Sequence, residues 1–464
     1  MQQPNIVDTA CRFAWDYPIV NVPNMVFRNC CRALGGSVDA QQLRDLGPEL
    51  FDRHPDAVRM KMDLLRGIRT PACKTCWDIE SKGGISARGG FDDFVEYVAA
   101  SGHFGISSRD DIKQRLLELD DNMAADLAEN LRHPRMVELN LGNTCDLKCL
   151  YCGPKNSTQW AAELHKHGEL ADTQENSNAD QVRSDYEHLW WLWLENHAMQ
   201  SLKNISFLGG EPLIIDRFYD HVLRINDIYA GAHSHTSVTL TVVSNLNTPE
   251  AYVSKFIDLI NRVLDNPRID IELIVSCESY GDRAAFIRTG TNWPRFERNI
   301  KQLAQLACDH PESSRISMRV LTTLNILCIS DLPNFYSWFV DINQGLSNKM
   351  VICRNQAVYP HWLNPMLLSE DYVQYIRQGQ AVLQAAADRA DDHSWLQDGG
   401  VSGQHSYLDW LDSIAAGIAH KEKNQWNRRQ FARQIDIMCE RRDLNFARTF
   451  PEMIDFYNLC KDAE

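Results

Sequence analysis

The stretch MVELNLGNTCDLKCLYCGPKN, residues 136–156, decides the fold. Its first half is a short β-rich run, and its second half puts Cys145, Cys149 and Cys152 on one tight loop. From here onward the chain repeats a rhythm. β-rich runs recur at NISFLGG (204–210), SVTLTVVSN (237–245), DIELIVSCES (270–279), RISMRVLTTLN (315–325) and KMVICRN (349–355). Between most of them lie segments such as PEAYVSKFIDLINRVLDN and PRFERNIKQLAQLACDH, with apolar residues at three- and four-residue steps that predict helices. Strands alternating with helices imply a parallel sheet built from right-handed crossovers. Six such units favour an open or partial (β/α)6 TIM-like barrel over a two-layer sandwich, so the expected class is α/β.

Outward from this core, the reading gives four regions. Residues 1–90 form a small N-terminal domain, in which Pro23 and Asn24 are placed to close a hairpin. Residues 91–135 read as a helical linker, 136–355 as the barrel, and 356–464 as a helical region with a loop at Gly399, Gly400 and Gly403. The barrel carries an insertion at about 155–200 with His188, Trp190, Trp191 and Trp193. This insertion is either a helix whose tryptophans pack into the core or a lid over substrate.

The 464 residues include 47 basic and 62 acidic side chains, a net charge of −15. With 44% hydrophobic and 23% charged residues the chain has an ordinary globular composition, which excludes disordered and collagenous classes. The acidic balance argues against a general grip on nucleic acid. No apolar run reaches the roughly 18–20 residues of a membrane span, and the first residues do not read as a signal peptide. The expectation is a cytoplasmic protein that does not enter a membrane.

Fourteen cysteines in such a chain point to metal ligation rather than to disulfides. Cys277, Cys308, Cys328, Cys353, Cys439 and Cys460 are scattered singly and read as small buried hydrophobes. The spacing Cys145-x3-Cys149-x2-Cys152 differs: three thiolates on one loop hold three irons of a [4Fe-4S] cluster and leave the fourth iron open. A structural zinc site normally closes four ligands, and no fourth Cys or His follows at finger spacing.

The loop CDLKCLYC, with aromatic Tyr151 before its last cysteine, resembles the hallmark of radical S-adenosylmethionine (SAM) enzymes. The resemblance implies that SAM binds the open iron and is cleaved reductively to a 5′-deoxyadenosyl radical, which takes hydrogen from a substrate. It also implies a reductant such as flavodoxin or ferredoxin. Gly209-Gly210-Glu211-Pro212, at the end of the second strand, is similar to the family's segment that contacts the SAM amino group. Further SAM-binding candidates follow at strand ends: Ser244 and Asn245, Ser276 and Glu278, Arg288, and Asn325. Relatives commonly read S-x-D-G where this chain has Ser276-Cys277-Glu278-Ser279.

The N-terminal cysteines, with the segment GIRTPACKTCWDIESKGGISARGG, resemble a twitch module, a shortened auxiliary-cluster domain of some radical SAM enzymes. The tail from Arg442 to Glu452 resembles the end of that group, although the module commonly follows the barrel and here precedes it. The implied ligands of an auxiliary [4Fe-4S] cluster are Cys11, Cys30, Cys73 and Cys76, with Cys31 able to replace Cys30. Tetrahedral zinc is the alternative for this site. The substrate class stays open between a peptide and a small molecule, and a zinc-binding interaction protein or an RNA-modifying radical enzyme are the rival functions.

Overall fold

Val137 and Leu139, Ile205 and Phe207, Leu240 and Val242, and Ile271, Leu273 and Val275 alternate along four strands and are all buried. In the computed structural model of the chain these rows align into one sheet. The structure describes all residues except 1–4, 31, 34–35, 82–85, 87, 171–178, 232–235, 358, 398–405, 421–422 and 464. Cys31 and the expected loop at Gly399, Gly400 and Gly403 therefore lie outside the described residues.

Eleven strands are described: β1 (Ile19–Asn21), β2 (Val26–Arg28), β3 (Gly36–Ser37), β4 (Met136–Asn140), β5 (Lys148–Cys149), β6 (Asn204–Leu208), β7 (Val238–Ser244), β8 (Ile269–Ser276), β9 (Arg288–Thr289), β10 (Ile316–Leu324) and β11 (Val351–Gln356). Nine form one sheet in the order β11-β10-β8-β7-β6-β4-β1-β2-β3. From β4 to β11 every neighbouring pair is parallel and the order follows the chain, so each crossover advances in the same direction. The protein is thus α/β with a mostly parallel nine-stranded sheet. The crossover helices Asp216–Ala230, Glu250–Leu264, Trp293–Asp309 and Leu332–Gln344 bury one apolar stripe each, for example Phe218, Val222, Ile225 and Tyr229.

The opposite face of the sheet is polar. Register places Glu138, Ser206, Thr241 and Glu272 in one row across four strands. Ser206 Oγ donates to Asn204 Oδ1 at 2.6 Å, Asn204 Nδ2 to Thr241 Oγ1 at 2.7 Å, and Thr241 Oγ1 to Glu272 Oε2 at 2.8 Å. Arg319 Nε closes the ladder on Glu272 Oε1 at 2.6 Å.

The N-terminal segment joins this sheet. β1 pairs in parallel with β4, and β2 and β3 continue antiparallel beyond it. The β1–β2 turn spans Pro23 and Asn24, and Asn21 Oδ1 holds it by accepting from the Asn24 backbone N–H at 3.0 Å. Other residues of the first 131, including Ile6, Phe13, Trp15, Leu64, Phe94, Tyr97, Leu116 and Leu127, make a second apolar core of their own. In the expected insertion, helix Ala179–Trp193 buries Trp190, Trp191 and Trp193. Trp193 Nε1 donates to Asp52 at 3.0 Å and the Tyr186 hydroxyl to the Val26 carbonyl at 3.1 Å, so this helix packs on the N-terminal elements. The region after β11 is helical, with Val373–Ala390, Tyr407–His420, Gln425–Arg442 and Ile454–Lys461. Among the described residues no helix is long and apolar enough to cross a membrane.

Candidate functional site

The cysteine loop leaves the C-terminal end of β4 and is fastened at nearly every carbonyl. Trp160 Nε1 donates to the Cys149 carbonyl at 2.8 Å, Ser157 Oγ to that of Leu147 at 2.7 Å, and Arg442 Nη1 to that of Lys148 at 2.8 Å. β5, inside the loop, pairs with β9 and so brings Cys149 opposite Arg288. At the end of β6, Gly209 and Gly210 have φ of +87° and +55°. A Cβ on Gly209 would stand 1.7 Å from Asn140 Oδ1, and one on Gly210 would stand 2.2 Å from the Thr144 carbonyl oxygen. Gly210 is therefore required for this turn to touch the cysteine loop and Gly209 for it to pass the Asn140 side chain at the end of β4, and the Glu211 N–H seals the turn on the Thr144 carbonyl at 2.8 Å.

Glu211 is fully buried, and its carboxylate accepts from Ser244 Oγ at 2.8 Å, the Asn245 N–H at 2.7 Å and the Leu213 N–H at 3.1 Å. Burial pushes its carboxyl up to about 7 against those donors. Both oxygens are thus engaged by the protein, and the carboxylate organises the ends of β6 and β7. Pro212 starts the short helical turn that follows. Asn245 Nδ2 donates to Asp146 Oδ1 at 3.0 Å and Asn247 Nδ2 to Asp146 Oδ2 at 2.7 Å, which ties the middle of the cysteine loop to the end of β7. Asp146 and Asn247 are additions to the sequence-derived set. Asp146 sits inside the cysteine motif, but its partner lies a hundred residues away, and no local pattern signals that contact.

Tyr151, Glu278 and Arg288, three of the candidates the resemblance implies, meet one another beside Cys149. Tyr151 donates to Glu278 Oε1 at 3.0 Å, and Arg288 Nη1 reaches both the Tyr151 hydroxyl and, at 3.4 Å, Glu278 Oε2. Ser276 closes β8 on the polar face of the sheet. Asn325 spends its side chain within its own loop, with Nδ2 donating to the Thr323 carbonyl at 3.1 Å and Oδ1 accepting from the Leu327 N–H at 3.0 Å.

Cys145 and Cys149 are buried and Cys152 is half-buried. Burial pushes the thiols of Cys145 and Cys149 up to about 12, and the neighbouring thiols add to the rise. Groups this hard to ionise become thiolates when a cation replaces the proton. Asp146, the nearest alternative donor, already has both oxygens held by amides.

A second gathering lies in the N-terminal region. Cys11, Cys30, Cys73 and Cys76 line one cavity together with Phe13, Met60 and Arg88. Arg88 bridges both oxygens of Glu80 at 3.0 Å and donates to the Ala10 carbonyl at 3.1 Å, while Ser86 Oγ donates to Glu80 at 2.6 Å. The Ser-x-Arg segment thereby folds back onto the helix Lys74–Glu80 that carries Cys76. Among the described residues no three His, Cys, Asp or Glu side chains are grouped to hold a metal ion. A cubane spreads its thiolates over separate irons, so a gathering of three cysteines suits its donor demand better than that of a single ion, whereas four cysteines suit a cubane and tetrahedral zinc alike. Of the six scattered cysteines, Cys277, Cys328, Cys353 and Cys460 are buried, and Cys308 and Cys439 are half-buried.

No family model and no curated protein matches this chain.

Proposed function

We propose that this protein is a radical SAM enzyme with two iron–sulfur sites. Cys145, Cys149 and Cys152 hold a [4Fe-4S] cluster with one open iron, and Cys11, Cys30, Cys73 and Cys76 hold an auxiliary [4Fe-4S] cluster. The observation that supports this most is the seating of the three-cysteine loop on the ends of β4, β6 and β7, with Gly210 pressed against it and Gly209 against Asn140 of β4. The sheet curls into a partial (β/α)6 barrel in this reading, its polar face lining the interior.

When bound, a cluster of this type supplies the electron that cleaves SAM into methionine and a 5′-deoxyadenosyl radical, which removes hydrogen from substrate. The chain's own residues bind and orient. The carbonyls of the Gly209–Gly210 turn accept from the SAM ammonium, together with the Glu211 carboxylate, whose Oε2 takes only one bond from the protein. Arg288, held by Tyr151 and Glu278, presents a guanidinium to the SAM carboxylate. Asn245 fixes the loop through Asp146. Asn325 spends one amide N–H and its oxygen on its own loop, and its other N–H is the group it offers toward SAM in this reading. The protein works in the cytoplasm on a small molecule or peptide, and a flavodoxin- or ferredoxin-type donor reduces it. The net charge of −15 disfavours an RNA substrate.

The test is 5′-deoxyadenosine formation from SAM under dithionite by anaerobically reconstituted protein. Wild type should form it, and the triple change Cys145→Ala, Cys149→Ala, Cys152→Ala should not. Equal formation by both would overturn the assignment.

A further inference from the structure

Arg28 and Glu138 stand out on the polar face of the sheet as opposite charges that do not meet. In register, Ile19 of β1 lies directly between them, opposite Arg28 on β2 and Glu138 on β4, so both side chains leave the sheet on the same side. Two strand spacings set their backbones roughly 10 Å apart, a gap that an arginine and a glutamate are long enough to close. Yet no ion pair or hydrogen bond joins them. Arg28 Nε is buried without a partner, and among the described residues the Arg28 side chain makes no hydrogen bond or ion pair. Glu138 uses Oε2 to accept from the Tyr17 hydroxyl at 3.2 Å and leaves Oε1 unused. Both side chains keep some accessible surface, so they border open space. Elsewhere on this face the charges are matched, as in the contact of Arg319 with Glu272.

A third polar group completes the site. Asn140 lies two residues further along β4, on the same face and about 7 Å closer to the cysteine loop. Its Oδ1 is buried, beside Gly209, and has no hydrogen-bond partner. A guanidinium, a carboxylate and an amide, each short of a partner, thus share one face of the sheet, the amide lying against the Gly209 turn beside the cysteine loop.

We infer that Arg28 and Glu138 anchor the substrate and that the substrate is a free α-amino acid. Its carboxylate takes the open guanidinium, its ammonium takes Glu138 Oε1 and Asn140 Oδ1, and its side chain extends toward the cysteine loop. A residue inside a peptide has neither charged group, so the anchor selects a small zwitterion over a peptide interior. The inference rests on the radical SAM reading for its place in a reaction, but binding alone can test it.

The experiment is calorimetric titration of the anaerobically reconstituted protein with the twenty free L-amino acids. Each one that binds is compared with its amide, which lacks the carboxylate, and its N-acetyl form, which lacks the ammonium. At least one free amino acid should bind, and both blocked forms should bind at least about tenfold more weakly, as expected when a charged hydrogen bond is lost. Arg28→Gln and Glu138→Gln should each weaken binding to a similar extent, with Arg28→Lys recovering part of the loss. Melting temperature and iron content are read on the same samples. Should Arg28→Gln fail to fold, Arg28→Lys and the blocked forms on wild type carry the test. The anchor is wrong if no free amino acid binds, or if blocked forms or folded variants bind as well as the parent pair. A wild type without iron would overturn the radical SAM reading instead, and the titration would still read the anchor on its own.

Discussion

Cys145, Cys149 and Cys152 come from eight consecutive residues, whereas Cys11, Cys30 and the pair Cys73-x2-Cys76 come from three stretches spread over the first 76 residues. The strand-end site is held by directed polar contacts: carbonyls capped by Trp160, Ser157 and Arg442, and Asp146 clamped by two asparagines. The N-terminal site is an apolar cavity walled by Phe13, Met60 and Leu64, with Arg88 as its main polar brace. A local motif on a loop needs its backbone fixed from outside, while cysteines scattered along the chain need only a shared core to bring them together. The first site is therefore sensitive to backbone geometry and the second to packing and to one ion pair.

The harshest way to probe this contrast is Gly210→Ala. The new Cβ meets the Thr144 backbone carbonyl, which cannot swing away as a side chain would, at a φ that disfavours any residue but glycine. A cost of about 2–4 kcal/mol is expected, combining backbone strain with the displaced loop. Thermal melting with metal analysis should show iron lost from the strand-end site and kept at the N-terminal one. Equal loss from both would mean that the two sites share one support.

Arg88→Gln should act in the mirror sense and more weakly. It removes a partly buried guanidinium from Glu80, at an expected cost of about 1–3 kcal/mol, and loosens the segment that closes the cavity. Proteolysis within the first 131 residues should accelerate, and iron at the strand-end site should be unaffected. If 5′-deoxyadenosine formation under dithionite falls as far as with Gly210→Ala, the separation of the sites is wrong.

The pH response supplies the smallest and most specific contrast. Burial raises Glu211 from 4.5 to about 7, so between those values the unfolded chain has already lost a proton that the folded chain keeps. This group makes stability fall as pH rises through that window and level off above about 7. Burial also works on Glu80, but Arg88 and Ser86 outweigh it and hold that carboxyl below its ordinary range. Its contribution is present above pH 4.5 and disappears as pH falls through the lowered value. Denaturant melts across pH 3–8 should therefore lose the near-neutral slope in Glu211→Gln and part of the acid slope in Glu80→Gln. The same pH profile in both variants would break the comparison.

The six strands of the large sheet from residue 136 onward were legible because each carries β-branched residues in a short apolar run, as NISFLGG and SVTLTVVSN do, whereas the two-residue strands β5 and β9 were not. The attachment of β1, β2 and β3 to the same sheet was not, since strands of two or three residues hold too little pattern to reveal a partner more than a hundred residues away. The cysteine spacing pointed to the loop, and the glycine pair to the turn against it. The committed oxygens of Glu211 and the internal hydrogen bonds of Asn325 were invisible, because they depend on which donors the folded chain brings up to them. The same holds for Asp146 with Asn245 and Asn247, a contact made only once β7 lies beside the cysteine loop.

Counting metal decides whether the two cysteine sites each hold an iron–sulfur cluster. Protein purified and reconstituted without oxygen should contain about eight irons and eight acid-labile sulfides per chain, the complement of two [4Fe-4S] clusters, and no zinc. One equivalent of zinc with about four irons would contradict the account at the N-terminal site. Zinc without iron would contradict it altogether.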